Sequence, residues 1–289
     1  MNNSVDKSTI FPTKQIICPN KTFKLDRVLV MGILNMTPDS FFDGGSYDTV
    51  SKQCLRAEKM LNEGADIIDI GAISTRPGSK AVSLDEELKR IMPGLEVLVE
   101  KFPNTVFSID TYRGKVVEET AAVGAGMIND ISSGTIDETM FDAVAKSKLP
   151  YIMQHIKGIP ENMQNNPKYD DITSEIIEFY EQKIPELNKI GIEQIIVDPG
   201  FGFGKTIGHN YTLLRELKNF EKLNLPILVG VSRKSMIYNL LNITPQESLH
   251  GTCMINLLAI LNGADIVRVH DVKEAVQTIK IAQNYLGTA

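Results

Sequence analysis

Polar and charged side chains interrupt a series of short apolar runs, always at the same end. Asn35 closes "VLVMGILN" and Asp69 lies within "DIIDIG". Asp110 closes "TVFSID", Asn129 and Asp130 fall near the end of "MINDI", and His155 closes "PYIMQH". Asp198 follows "QIIV", Arg233-Lys234 end the seventh run, and Arg268, His270 and Asp271 end the eighth. The set divides by chemistry. Asp110, Asn129, Asp198 and Lys234 supply acceptors and donors that suit the edge of a flat, amide-like heterocycle, and a buried polar site of that kind rejects analogues lacking the matching groups. Asn35, Thr75, Arg76, Arg268 and His270 supply donors for an anion such as a phosphate, on which arginine forks make paired, charge-assisted bonds. A lone Asn closing the first run suits a Mg2+ that keeps most of its waters and leans on substrate phosphates.

The stretch "DPGFGFGKT" (198–206) has the dress of a phosphate loop but not its spacing. A Walker A loop needs a glycine five places before its Gly-Lys pair, and that place holds Pro199, which has no N–H to offer. The dinucleotide fingerprint fails too, because its third glycine falls on Lys205. Some of the polar residues have a simpler use. Asp and Asn cap helices by accepting from free N–H groups, so Asp271 before "VKEAV" reads as a cap and Asp130 as support for the loop after its strand. Asp110, Asn129 and Asp198 follow apolar residues with no helical pattern directly behind them, and capping does not account for them. His209 reads as a cap for "NYTLLREL" or as exposed, His250 as a surface or interface residue, and His155 as support for the site. Tyr112, Phe41 and Phe42 shape the pocket or pack its loops.

What must position these residues is a regular alternation. Eight nearly continuous apolar runs, as expected of strands buried on both faces, are separated by amphipathic segments such as 51–64, 85–102 and 173–191. Gly64, Gly124, Gly191 and Gly263 stand where C-caps belong. Eight strands alternating with eight helices predict a single (β/α)8 barrel, whose active site sits at the C-terminal strand ends. Residues 1–14 read as a flexible tail and 15–289 as the barrel domain, opened by a hairpin at 15–25 that covers the barrel's bottom. The 289 residues are 43% hydrophobic and 23% charged, with a net charge of -6. That balance disfavours a nucleic-acid binder. Cys18, Cys54 and Cys253 are odd in number and form no C-x-x-C pair, which fits a reducing cytoplasm. The N-terminus has no secretory apolar core and no run reaches the length of a membrane span, so a soluble cytoplasmic protein is expected. The apolar "CMINLLAIL" of the seventh helix reads equally as a core face or as a homodimer face.

Longer stretches carry a resemblance. "GILNMTPDSFFDGG" (32–45), "DIGAISTRPG" (69–78), "FSIDTY" (107–112), "INDIS" (128–132), "DPGFGFGK" (198–205), "GVSRKS" (230–235) and "RVHD" (268–271) resemble the dihydropteroate synthases, in that family's order and over about residues 20–285. Two departures stand out. Ala72-Ile73 replace the Gly-Glu of a common family form, so the role of that Glu is not carried over. Gln154-His155-Ile156 replace Met-His-Met.

The resemblance implies a condensation in which the amine of p-aminobenzoate attacks the methylene of a 7,8-dihydropterin pyrophosphate and pyrophosphate leaves with Mg2+. It implies that Asp110, Asn129, Asp198 and Lys234 hold the pterin, and that Asn35, Thr75, Arg268 and His270 take the pyrophosphate, with Asn35 on the metal. Asp110, Asp198, Lys234, Arg268 and His270 would form the catalytic set. Arg76, Pro77, Phe203, Lys205 and Ser235 would line the p-aminobenzoate pocket and its loops, where sulfonamides also bind; the loops carrying Asp39 and Thr75 would fold over the site. Two other readings share the Asp-Asn-Asp set: a methyltetrahydrofolate–corrinoid methyltransferase of the same barrel superfamily, and a non-catalytic pterin-binding protein. The first does not need the S-T-R-P-G, S-R-K-S and R-V-H runs present here.

Overall fold

The structure, a computed structural model, describes residues 14–36, 46–73, 82–159 and 162–288, and of residues 46–49 the backbone alone. Most of the expected tail (1–13), as well as Asp39, Phe41, Phe42, Thr75, Arg76 and Pro77, lies outside the described residues.

Strands β1 (Gln15–Cys18) and β2 (Lys21–Lys24) form an antiparallel hairpin in which Ile16 faces Phe23. Its alternation is that of a half-buried ribbon: Ile16, Cys18 and Phe23 are buried, while Gln15, Lys21 and Lys24 are exposed. Eight parallel strands follow: β3 (Leu29–Asn35), β4 (Ile67–Gly71), β5 (Val106–Asp110), β6 (Met127–Asp130), β7 (Tyr151–Gln154), β8 (Ile195–Asp198), β9 (Leu228–Val229) and β10 (Ile266–Val269). Their order is β8-β7-β6-β5-β4-β3-β10-β9. Between β8 and β9 the ring is completed by a bridge from Val197 to Ile227 and a 2.9 Å bond from the Val197 N–H to the Pro226 carbonyl. The strand β9 is shorter than its apolar run, because the chain turns over Val231–Lys234, where the Lys234 N–H bonds the Val231 carbonyl at 3.2 Å.

Nine α-helices cover the ring among the described residues: α1 (Ser46–Glu63), α2 (Leu84–Lys101), α3 (Gly114–Val123), α4 (Met140–Ser147), α5 (Ile172–Lys189), α6 (Ile207–Arg215), α7 (Ser235–Leu241), α8 (Leu249–Leu261) and α9 (Val272–Leu286). The alternation predicts eight. The extra one arises because Asn242, left-handed at φ 54°, ends α7 before Pro245, and "CMINLLAIL" then continues as α8. The four expected C-cap glycines all take positive φ.

The apolar core has two parts, one between ring and helices and one inside the ring. The inner part is a floor: Leu29, Met31, Ile67, Val106, Met127, Ile152, Ile196, Leu228 and Ile266, closed from below by Ile16, Cys18 and Phe23 of the hairpin. Bonds from Asn20 Nδ2 to the Pro103 and Thr105 carbonyls, and from the Ile17 N–H to Gln194 Oε1, fix the hairpin under the barrel. Lys14 adds an ion pair to Asp265 at 3.2 Å.

Candidate active site

Side chains two apart on a strand share a face. Counting two residues onward from the floor therefore gives the next layer inside the ring: Ile33, Asp69, Ser108, Asn129, Gln154, Asp198, Gly230 and Arg268. An apolar floor is followed at once by a polar tier. Asp69 and Ser108 are fully buried, and Asn129, Gln154 and Asp198 nearly so. Parallel register sets the tier above it, with Asn35 beside Gly71, Gly71 beside Asp110 and Asp110 beside Asn129.

Arg268 is the hub. Its Nε donates to Asp69 Oδ2 and its Nη2 to Asp110 Oδ2, each at 2.6 Å. Asn129 Nδ2 also donates to Asp69 Oδ2, at 3.0 Å. Gly230 lies beside this hub: a Cβ there would meet the Arg268 stem at 3.7 Å and Lys234 Nζ at 3.8 Å, ordinary contact distances. Three buried polar atoms in this tier, Asp69 Oδ1, Asn129 Oδ1 and Ser108 Oγ, have no hydrogen-bond partner among the described residues. Buried polar atoms are normally paired, so a cluster of orphans on adjacent strands marks a place for a polar ligand or water.

Burial pushes the Asp110 carboxyl up to about 7, opposed by Arg268. Burial also raises Asp198, opposed first by Lys234 and by the Gly200 N–H that bonds its Oδ1 at 2.8 Å. The same desolvation lowers Lys234 to about 8, with Asp198 pulling the other way. Lys234 and Asp198 sense each other but form no ion pair within 4 Å; the Lys234 ammonium instead donates to the Phe201 carbonyl at 2.6 Å and stands 4.7 Å from the centre of the Phe203 ring. The approach of Lys234 to the mouth is fixed by its neighbour. Arg233, left-handed at φ 56°, makes a two-pronged pair with Asp271 at 2.9 Å and holds the carbonyls of Pro245 and Gln246. Asp271 does occupy the N-cap position of α9, but its carboxylate makes no cap bond and serves Arg233.

On the other side of the mouth, Asn35 is half-buried and its side chain has no hydrogen bond among the described residues. His270 Nδ1 lies 3.2 Å from Ser232 Oγ, and the His270 carbonyl accepts from Arg56. Ser235, half-buried, is the first residue of α7. Among the described residues no three His, Cys, Asp or Glu side chains converge in a metal-holding cluster.

The glycine loop packs against the end of β7. Gly200 has φ +72°, and a Cβ there would lie 1.9 Å from the His155 carbonyl. Thr206 and His209 close a reciprocal capping box on α6, so the N–H groups of Thr206 and His209 are spent on that helix start's own residues. Phe203 joins Ile131 and Met163 in a small apolar cluster, with Tyr112 and Ile156 beside it. Lys205 does not open toward the mouth. It is 3% exposed and buried beneath the loop.

Expectation and structure agree on several supports. Asp130 accepts from the Ser132 and Gly134 N–H groups and from Tyr151 Oη, holding the loop after β6. His250 is exposed on α8. The sequence pattern missed the central place of Asp69, a carboxylate inside an apolar run two residues past Ile67; that spacing was its signal. It also missed Glu87, fully buried on α2, which bonds Arg113 and, at 2.7 Å, Thr111 Oγ1. Arg113 Nη2 in turn holds the Val82 carbonyl at 2.5 Å and Arg90 Nη1 the Ala72 carbonyl at 3.1 Å, so both ends of the second loop are tied to fixed cations. Ala72, where the family form has glycine, is fully buried.

Known proteins resemble this chain over most of its length. The family described as pterin binding enzyme matches residues 31–270. The dihydropteroate synthase of Escherichia coli K12 is 45% identical over 260 residues, 89% of this chain and 92% of that protein. The crystal structure of the Yersinia pestis dihydropteroate synthase in a sulfonamide drug complex superposes with a TM-score of 0.89 at 42% identity, covering 94% of this chain and 99% of that one. The Xanthomonas albilineans enzyme in complex with 7,8-dihydropteroate superposes at 0.84 with 36% identity, covering 94% and 98%.

Proposed function

We propose how the barrel mouth works from the premise that this chain belongs to the pterin-binding enzyme family, among its dihydropteroate synthases. It is a transferase that condenses a 7,8-dihydropterin pyrophosphate with p-aminobenzoate, giving 7,8-dihydropteroate and pyrophosphate. Relatives of this likeness along nearly their whole length displace both the methyltransferase and the non-catalytic readings.

The observation that carries the assignment of residues is the polar tier above an apolar floor. A pterin offers N–H donors along its amidine edge and a carbonyl acceptor next to them. Asp110 and Asp198 accept, Asn129 both accepts and donates, and Lys234 donates, which matches that edge group for group. The orphaned Asn129 Oδ1 is the acceptor such a ring would satisfy. The second substrate sits over Phe203 and Ser235 at the mouth, and sulfonamides compete there.

The arylamine is already a usable nucleophile, so the barrier lies in breaking the carbon–oxygen bond to pyrophosphate. The site must therefore favour charge on the leaving group. Arg268 on β10 and His270 just after it do this, with Asn35 and Thr75. The donor set fits Mg2+ in one specific way: a single neutral amide, Asn35, with no cluster of carboxylates among the described residues, suits an ion held mostly by water and phosphate oxygens. Bound there, the ion would neutralise departing phosphate charge. The carboxylates of Asp110 and Asp198 stabilise positive charge that develops on the pterin methylene, and the buried tier excludes water from it.

The chain works as a homodimer in the cytoplasm. Exposed Leu240, Leu241, Met254, Leu258 and Ile281 on α7, α8 and α9 supply an apolar face for a second copy; no described helix is long and apolar enough to cross a membrane. The deciding experiment for the site is Asp198→Asn, followed by calorimetric titration with the dihydropterin pyrophosphate and by pyrophosphate release with both substrates. Removing one charged acceptor should weaken pterin binding by roughly tenfold or more, as expected for a charge-assisted bond. Unchanged pterin affinity would remove Asp198 from the pterin subsite.

A further inference from the structure

The buried Lys205 has no place in the chemistry above, and its surroundings are unusual for an ammonium. Its Nζ donates to the Phe203 carbonyl at 3.0 Å and lies 3.1 Å from His155 Nδ1 and 3.4 Å from the His155 carbonyl. No carboxylate lies within ion-pair distance of it among the described residues; Asp198 acts on it only from further off. Burying a cation without a paired anion is costly, and a lysine stays in such a place only when its hydrogen bonds are met. Desolvation accordingly lowers Lys205 to about 7 and takes His155 well below its ordinary value.

Two structural facts say what the arrangement does. First, His155 is itself immobilised, its ring edge-on to Phe179 at 5.3 Å between centroids and its backbone N–H bonded to the Asp198 carbonyl. Second, the carbonyl that Lys205 grips belongs to Phe203, whose ring closes a small cluster with Ile131 and Met163 and lies under the Lys234 ammonium. The two aromatic residues of the glycine loop thus have their carbonyls held by different lysines, Phe201 by Lys234 and Phe203 by Lys205. Lys234 is assigned above to the pterin, so of the two lysine bonds to the loop the one from Lys205 is not shared with a substrate.

We infer that Lys205 and His155 form a buried positioning pair that holds the Phe203 ring in place as the wall for the arylamine substrate, and so set affinity for that substrate and not for the pterin. This rests on the reading of Phe203 as part of the arylamine subsite. Lys205 is a positioning residue here: it touches the loop, and the loop touches the substrate.

The test is a comparison of Michaelis constants for the two substrates in Lys205→Met, His155→Phe and Phe203→Leu. Lys205→Met keeps the stem and removes the bonds. It should raise KM for p-aminobenzoate about tenfold, the weight of one charge-assisted bond to a carbonyl, while KM for the dihydropterin pyrophosphate stays within about twofold, the scatter of a residue not in contact. His155→Phe keeps ring volume against Phe179 and removes one partner of the ammonium, so it should shift the same constant in the same direction by less. It carries the test if Lys205→Met fails to fold, and calorimetric titration with the dihydropterin pyrophosphate shows that either variant retains a folded pterin subsite. If Phe203→Leu raises KM for p-aminobenzoate but both positioning variants leave it unchanged, or move both constants together, the pair has no such role and the inference falls alone. If Phe203→Leu leaves that constant unchanged, the subsite reading fails and takes the inference with it.

Discussion

Replacing Arg268 with methionine strands the carboxylates it serves. Two bonds of 2.6 Å disappear. Asp69, fully buried, keeps only the Asn129 amide on Oδ2, and its Oδ1 already lacks a partner. Leaving a buried charge without its partner costs about 3–5 kcal/mol, which in a chain of this length lowers Tm by roughly 10 °C. The pH dependence separates this cause from lost packing. Burial holds the Asp110 carboxyl at about 7 against its ordinary 3.8, with Arg268 the strongest influence opposing the rise. A carboxyl whose folded pKa is raised lets the folded state bind more protons than the unfolded one, so stability falls as pH climbs from the unfolded value to the folded value and then levels. Without Arg268 the folded value moves above 7. The variant therefore goes on losing stability between about pH 7 and pH 9, where this group leaves the parent level. Thermal melts of parent, Arg268→Met and Asp69→Asn/Arg268→Met at those two pH values make the measurement. The neutral amide in the double variant should restore part of the loss at both pH values, since the stranded Asp69 charge is gone. A gap that does not widen with pH, together with a double variant no more stable than the single, would refute the account of the tier as a charge balance.

Two further outcomes are expected. In Asn35→Ala, the Mg2+ concentration for half-maximal turnover should rise about tenfold with KM for p-aminobenzoate unchanged, because a single amide is the only protein donor assigned to the ion; a metal response identical to the parent's would place the ion elsewhere. Light scattering should give twice the chain mass, and Leu258→Glu on the exposed face of α8 should give single chains with a folded pterin subsite, because a buried charge at an apolar interface is strongly disfavoured; a monomeric parent would exclude the dimer.

The alternation of apolar runs and amphipathic segments carried the barrel, because strands buried on both faces and helices buried on one have different periods. The hairpin was legible for the same reason, from Pro19-Asn20 between two short runs. The ends of the strands were legible as a site because charge is expensive where the neighbours are apolar. What escaped was direction. Sequence offers Arg268 as a phosphate ligand but does not show that its Nε and Nη2 rest on Asp69 and Asp110. It offers Lys205 as a pocket residue but does not show that its ammonium bonds the Phe203 carbonyl and is buried. A long side chain can reach either way from one backbone position, and only the partners that tertiary packing brings within reach decide which. Asp271 shows the same limit for a short chain: its position is that of a cap, but Arg233, 38 residues earlier, claims its carboxylate.

The glycine loop turns the argument from spacing into one about polarity. A phosphate loop works because successive glycines let backbone N–H groups point at an anion. Here the glycines serve an approach of chain to chain: a Cβ at Gly200 would meet the His155 carbonyl at 1.9 Å, and one at Gly204 the Lys157 carbonyl at 2.5 Å. With the backbone pressed against the end of β7, three of the loop's N–H groups are spent within the protein: that of Gly200 goes to Asp198, that of Gly202 to Asn210 and that of Phe203 to the Gly200 carbonyl. The groups left facing charge are carbonyls, Phe201 toward Lys234 and Phe203 toward Lys205. The loop thus lacks the successive free N–H groups on which a phosphate loop depends. Under the proposed function the anion is taken across the mouth instead, by Asn35 of β3, Arg268 of β10 and His270 just beyond it, and the loop side is left to the uncharged, aromatic parts of the two substrates.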